Sequence, residues 1–112
     1  MSPELYTVAN TIHPVILELT DKEVEAAVKL YQNQPNPFQA STTILFDLPK
    51  QEVIQLTIYD ALGAEVKKWE GVYQKGTHSI PVRKEIFTQS GIYFYTLRVA
   101  DKEWNKKMLL MH

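Results

Sequence analysis

The run Gly91-Ile92-Tyr93-Phe94-Tyr95-Thr96-Leu97-Arg98-Val99 (GIYFYTLRV) is the clearest strand in the chain. Tyr93, Tyr95, Leu97 and Val99 keep one side apolar throughout, whereas Ile92 and Phe94 give way to Thr96 and Arg98 on the other. Strand side chains alternate with a period of two, so this pattern describes one buried face and one mixed face. Gly91 opens the run, where a turn needs positive φ or a close backbone approach. Downstream, Asp101-Lys102-Glu103 reads as a polar turn and Trp104 to Met111 (WNKKMLLM) as a last strand. Upstream lie Thr42 to Leu48 (TTILFDL), stopped by Pro49, and Val53 to Asp60 (VIQLTIYD), with Leu56 and Ile58 on one face and Thr57 and Tyr59 on the other. Asp60-Ala61-Leu62-Gly63 is a tight-turn signature, so Glu65 to Glu70 should return as a hairpin that Gly71 closes. After the turn Gln74-Lys75-Gly76, Thr77 to Val82 carries Pro81, which lacks a ladder donor and makes that strand an edge or interrupts it.

Six such runs at intervals of roughly 8–12 residues predict a sandwich or barrel. The fold class expected is all-β: an immunoglobulin-like antiparallel β-sandwich of about seven strands. Phe46, Trp69, Tyr93, Phe94 and Tyr95 are the aromatics expected to fill a layer about 10 Å thick between the sheets. The seventh strand is sought in the first 20 residues, at Thr7-Val8-Ala9 or Val15 to Leu19. Thr20 and Glu23 have the spacing of a capping box at the start of a short helix over Asp21–Val28, or the stretch is a charged connector. Residues 1–29 therefore supply an edge strand or form the tail of an upstream domain, and residues 30–112 form the domain.

The 112 residues suit one domain, and 45% hydrophobic with 22% charged residues is ordinary globular composition. A net charge of -1 offers no pull toward nucleic acid or an anionic membrane. No run approaches the 18 or so apolar residues of a spanning helix, so membrane insertion is not expected. There is no cysteine, hence no disulfide framework or thiolate metal site. Met1-Ser2-Pro3-Glu4 has neither the basic nor the apolar region of a secretory signal, so an exported protein would carry that label on sequence further upstream.

Little in the chain suggests catalysis. His13, His78 and His112 are far apart without metal-ligand spacing and are read as solvent-facing; no metal or cofactor is expected. The glycines sit singly at expected turns, and Ser90-Gly91 precedes a strand rather than the helix of a nucleophile elbow. Thirteen acids on a small surface make chance carboxylate pairs uninformative. Trp69 and Trp104 would suit a sugar-stacking platform if exposed and coplanar, which keeps a carbohydrate-binding or adhesive accessory module as the alternative. One segment stands out. Leu30-Tyr31-Gln32-Asn33-Gln34-Pro35-Asn36-Pro37-Phe38 is stiff and non-helical because each proline fixes its own φ and restricts its predecessor. Tyr31 and Phe38 are placed to pin it to the core.

The blocks LYQNQPNPF, STTILFDLP, LTIYDALGAEV, YQKGTH, SGIYFYTLRV and NKKMLLM, in that order from Leu30 to His112, closely resemble the type A C-terminal sorting domain of type IX secretion. The resemblance implies an immunoglobulin-like domain that acts as an address for a larger cargo protein in Bacteroidetes-type bacteria. Such cargo passes through the periplasm, is recognised by an outer-membrane translocon, and reaches the cell surface or the medium. A sortase-like protease commonly removes the domain. The matching positions are Pro35, Asn36, Pro37 and Phe38; Gly91, Tyr93 and Tyr95; and Lys106, Lys107, Met108 and Leu109. Lys106 and Lys107 lie on opposite strand faces, so at least one should reach solvent, to meet an acidic receptor or to guard an edge against aggregation. Two departures are evident: Val24-Glu25-Ala26-Ala27-Val28 is less polar than a usual cleavable linker, and Arg83 to Ser90 carries more charge and two apolar residues. Cleavage is expected between Thr20 and Gln32.

Overall fold

A computed structural model describes Thr20, Lys22, Glu23 and residues 27–112. Its strands are β1 (Lys29–Leu30), β2 (Ser41–Leu48), β3 (Glu52–Tyr59), β4 (Glu65–Tyr73), β5 (Gly76–Arg83), β6 (Gly91–Val99) and β7 (Lys102–Leu110), with one 3-10 turn at Lys84–Ile86. Two antiparallel sheets, ordered β1-β2-β5 and β4-β3-β6-β7, enclose one core. The all-β sandwich of seven strands follows the alternation seen in sequence. Ile44 and Phe46 from one sheet meet Ile54, Leu56, Ile58, Tyr95, Leu97 and Met108 from the other, all fully buried.

Register explains which residues turn inward. Ile58 pairs with Tyr95, Leu56 with Leu97 and Ile54 with Val99, so the buried faces of β3 and β6 coincide. Among the described residues β5 pairs only with β2, so the Pro81-bearing strand is an edge there, one of the two places a missing donor allows. The β3–β4 turn forms as Asp60 and Gly63 predict: the Asp60 carboxylate accepts from the backbone N–H groups of Leu62 (2.9 Å) and Ala64 (2.8 Å).

Several boundaries differ from the sequence reading. The seventh described strand is Lys29–Leu30, two residues that pair with Asp47 and Phe46 and are too short to show any alternation. The segments Thr7–Ala9 and Val15–Leu19 lie outside the described residues. Gly71 does not close the hairpin: β4 continues to Tyr73, with Gly71 opposite Ile54 in a ladder whose register shifts only near the turn, between Ile58 and Tyr59. The β6–β7 turn is Ala100 and Asp101, not Asp101 to Glu103, and Ala100 adopts φ 56 there. Phe94 stays 41% exposed because it shares with Tyr59 and Lys107 the outer face of its sheet, which the described residues leave uncovered. Thr20 and Glu23 do form a capping box: the Thr20 N–H donates to Glu23 Oε1 (2.9 Å) and the Glu23 N–H to Thr20 Oγ1 (3.1 Å).

Candidate recognition surface

The three separated blocks meet at one corner of the sandwich. Residues 35–38 form a strap along the outer edge of β7. The Asn36 side-chain oxygen accepts from the Leu109 N–H (2.9 Å), the Phe38 N–H donates to Leu109 O (3.0 Å), and the Met111 N–H donates to Phe38 O (2.9 Å). Gln32 Nε2 donates to Lys107 O (2.6 Å). The strap thus satisfies the C-terminal half of an edge that would otherwise be an open β template. Both X-Pro bonds of the strap, Gln34-Pro35 and Asn36-Pro37, are cis.

A buried polar network fixes the strap's entry. Tyr95 donates its hydroxyl to Tyr31 O (2.7 Å) and accepts from the Asn33 N–H (2.9 Å). Asn33 Nδ2 donates to Thr42 Oγ1 (3.0 Å) and Pro35 O (3.2 Å), and Thr42 Oγ1 donates to Pro35 O (2.8 Å). Asn33 has no exposed surface, yet every one of these polar groups has a partner, as burial demands. Burial pushes the Tyr95 hydroxyl up to about 12, so it stays protonated and able to donate across the physiological range.

Phe38 is buried at 1% exposure and packs against Phe87 (ring centroids 5.9 Å), which in turn packs on Tyr93 (4.4 Å). Phe87 belongs to the loop that departs from the family pattern. Its ring joins the proline block to the glycine-tyrosine block, a role that a charged loop gave no reason to expect.

The aligned positions therefore divide by exposure. Phe38, Tyr93, Tyr95 and Met108 are buried, Gly91 and Leu109 are partly buried, and Pro35, Asn36, Pro37, Lys106 and Lys107 are exposed. Both lysines reach solvent although they lie on opposite faces, because Lys106 points inward at an edge where the core is open. An inward charge on an edge strand also discourages strand addition. Gly91 sits at φ +139 with nothing within 4 Å of a built Cβ, so of the two sequence readings the turn conformation is the one that applies. Gly91→Ala should destabilise the fold by about 1–2 kcal/mol through backbone conformation alone, measured by urea denaturation.

Tyr31 pins the segment differently from expectation. It is 39% exposed, and its hydroxyl donates to the Asp47 carboxylate rather than inserting in the core. Thr77 Oγ1 donates to the other Asp47 oxygen (2.7 Å), so one carboxylate clamps the approach to the strap onto β2 and β5. The Thr77 and Tyr31 hydroxyls hold the Asp47 carboxyl below its ordinary value. A carboxyl that ionises more readily when folded binds fewer protons in the native state. Its stabilising contribution is complete above the ordinary carboxylate range and is lost as pH falls through the lowered folded value. Asp47→Asn should therefore flatten the loss of stability in acid below about pH 4, read from urea midpoints across a pH series.

Elsewhere the surface offers little chemistry. His78 is half-buried rather than solvent-facing: it packs on Tyr73 (5.0 Å) and Phe46 (5.4 Å) and donates to Gln74 O (2.7 Å). His112 contacts Ser90 Oγ (2.9 Å) at its exposed position, beside a groove of about 570 Å³, and among the described residues its ring donates no hydrogen bond to a carboxylate that would orient it. His13 lies outside the described residues. Trp69 and Trp104 occupy the two ends of one inward row, Trp69-Leu56-Leu97-Trp104, about 14 Å apart by strand spacing. Both pack against the core and close the sides of the sandwich instead of forming a shared platform.

The sequence model of the family described as "Secretion system C-terminal sorting domain" matches residues 29–111. No curated protein matches the chain in sequence. Among solved structures, the β-glucosidase of Listeria innocua in complex with glucose is similar in fold, with a TM-score of 0.54 and 12% identity, over 76% of this chain. The chain spans 16% of that enzyme's length, and the likeness concerns the fold alone. The family match runs from β1 through β7 and takes in the strap, the Gly91 turn and the terminal strand, and the chain belongs to the secretion system C-terminal sorting domain family, the sorting signals of type IX secretion that direct export to the cell surface or the extracellular space.

Proposed function

We propose that this chain catalyses no reaction and delivers an upstream cargo protein, after periplasmic transit, to the outer-membrane translocon through the strap corner. The supporting observation is the convergence of Pro35–Phe38, β6 and Lys106–Leu109, distant in sequence, into one hydrogen-bonded unit. In this reading Pro35, Asn36, Pro37, Lys106, Lys107 and the partly exposed Leu109 touch the receptor. Phe38, Gly91, Tyr93, Tyr95 and Met108 position them. Residues 1–29 link the sorting unit, residues 30–112, to the cargo.

A sortase-like protease then releases the cargo within the Thr20–Gln32 interval. A protease needs an unpaired extended segment, and Lys29 and Leu30 are already paired with β2. That pairing favours the part of the interval before Lys29 as the cleavage site in this reading. The carbohydrate-binding alternative lacks its platform, because the two indoles cap opposite ends of a core row.

The test fuses this 112-residue chain behind a reporter bearing an N-terminal export signal, in a Bacteroidetes host with or without a working type IX system. Reporter at the surface or in the medium only when the system is intact is the expected result, with mass spectrometry locating the new terminus. Reporter held in the periplasm of the competent host would overturn the reading.

A further inference from the structure

The outer face of the β4-β3-β6-β7 sheet is not uniformly polar. Its middle carries Thr57, Thr96 and Asn105, with Thr96 Oγ1 donating to Asn105 (2.7 Å), and the next row is closed by the Arg98–Glu103 ion pair. At the strap end the character changes. Ile92 is 46% and Phe94 41% exposed, with Leu109 and Tyr59 alongside. Val53 and Val72 make a separate exposed pair at the opposite end of this face, whereas the larger side chains Ile92 and Phe94 gather at the strap end, where an exposed apolar patch marks a contact site. A groove of about 380 Å³ opens there, between Ile92 and Leu109 on the sheet, Asn36 on the strap and Gln32 on the segment leading into it.

The charge around this patch is one-sided. Lys107 lines the groove and makes no ion pair among the described residues. The acid on the far side, Glu65 opposite Tyr59, is held by Lys68 (3.7 Å). The patch is thus apolar at its centre and cationic along its strap side. An apolar centre with a charged rim is the anatomy of a protein interface, and the complementary surface is acidic. A second copy of the chain fits poorly, since an isologous contact at this patch would bring Lys107 toward its own symmetry mate. A membrane fits poorly as well: the site is a recess in a sheet face, whereas lipid-docking residues lie on a convex apolar surface.

We propose that this corner, with Ile92, Phe94 and Leu109 at its centre and Lys107 on its rim, seats an acidic protein surface of the secretion machinery. An apolar side chain of that surface enters the groove and a carboxylate meets Lys107. The proposal rests on the sorting reading above and adds to it two residues, Ile92 and Phe94, that are not among the receptor-facing positions named there. These side chains point away from the core, so the fold should tolerate their exchange.

The reporter fusion tests it with two variants, the double Ile92→Ser/Phe94→Ser and the single Lys107→Glu, each checked by thermal unfolding of the 112-residue chain. Surface delivery should fall at least tenfold in the double variant and severalfold in K107E, with the unfolding temperature of K107E unchanged. K107E decides the matter if the double variant loses stability. Delivery within twofold of the parent in a stably folded variant would overturn the docking corner while leaving the sorting function intact, because the parent fusion is still exported. Failure of the parent itself would instead remove the sorting reading. Binding of the parent chain to phosphatidylglycerol vesicles, lost in both variants, would overturn the protein partner in favour of a membrane.

Discussion

Phe38→Ala should destabilise the domain by about 3–5 kcal/mol, the cost of deleting a buried aromatic ring and leaving a cavity. Phe38 is 1% exposed and rests on Phe87, so no solvent or flexible neighbour is available to fill the space. For a domain of this size the loss corresponds to a fall in unfolding temperature of at least about 12 °C, measurable by calorimetry. The consequence extends to the signal. Phe38 provides both the ring that anchors the strap and the backbone groups that bond Leu109 and Met111. Losing the anchor frees the edge of β7, and the variant should be exported poorly and aggregate more readily through that edge. A Phe38→Ala domain within about 1 kcal/mol of the parent by urea denaturation would show that the strap is held by hydrogen bonds alone.

Tyr95→Phe should cost about 2–3 kcal/mol although it removes a single oxygen. That oxygen is the shared partner of the Asn33 N–H and the Tyr31 carbonyl at the entry to the strap. Both groups would be left without a partner next to a fully buried Asn33, and an orphaned buried group costs more than a hydrogen bond ordinarily contributes. A double-mutant cycle with Thr42→Val separates this effect from the neighbouring Asn33–Thr42 bond, since the sites share a network and should couple by more than about 0.5 kcal/mol. Because the Tyr95 hydroxyl titrates only near 12, the Tyr95→Phe effect should be constant from neutral pH to about pH 9, in contrast to the acid-sensitive Asp47 clamp.

Much of the architecture was legible from alternation. The inward faces of β3 and β6 and the edge position of the Pro81 strand follow from period two and from a missing donor, and both are local properties. β1 was not legible, because two residues carry no period. Nor was the continuation of β4 through Gly71: a glycine stops a strand only where the chain must turn, and here Ile54 across the ladder keeps it extended. Phe94 was counted among the aromatics of the core, but its position one residue from Tyr93 and Tyr95 puts it on the outer face, which no second layer of the described residues covers.

The blocks of the candidate site were equally visible, and their physical division was not. Alternation by itself separates Tyr93 and Tyr95 from Ile92 and Phe94, and Met108 from Lys107 and Leu109, whereas the register between the two strands decides that Met108 shares a face with the tyrosines. Which face is covered depends on the second sheet. That Asn36 would bond a backbone group 73 residues away, that Phe87 would join two blocks, and that Lys106 would reach water from an inward position are all matters of long-range closure. Local periodicity specifies which way each side chain points. Only the packed sandwich specifies what stands opposite it, because contacts across a chain this far apart are made by the whole fold and by no single segment.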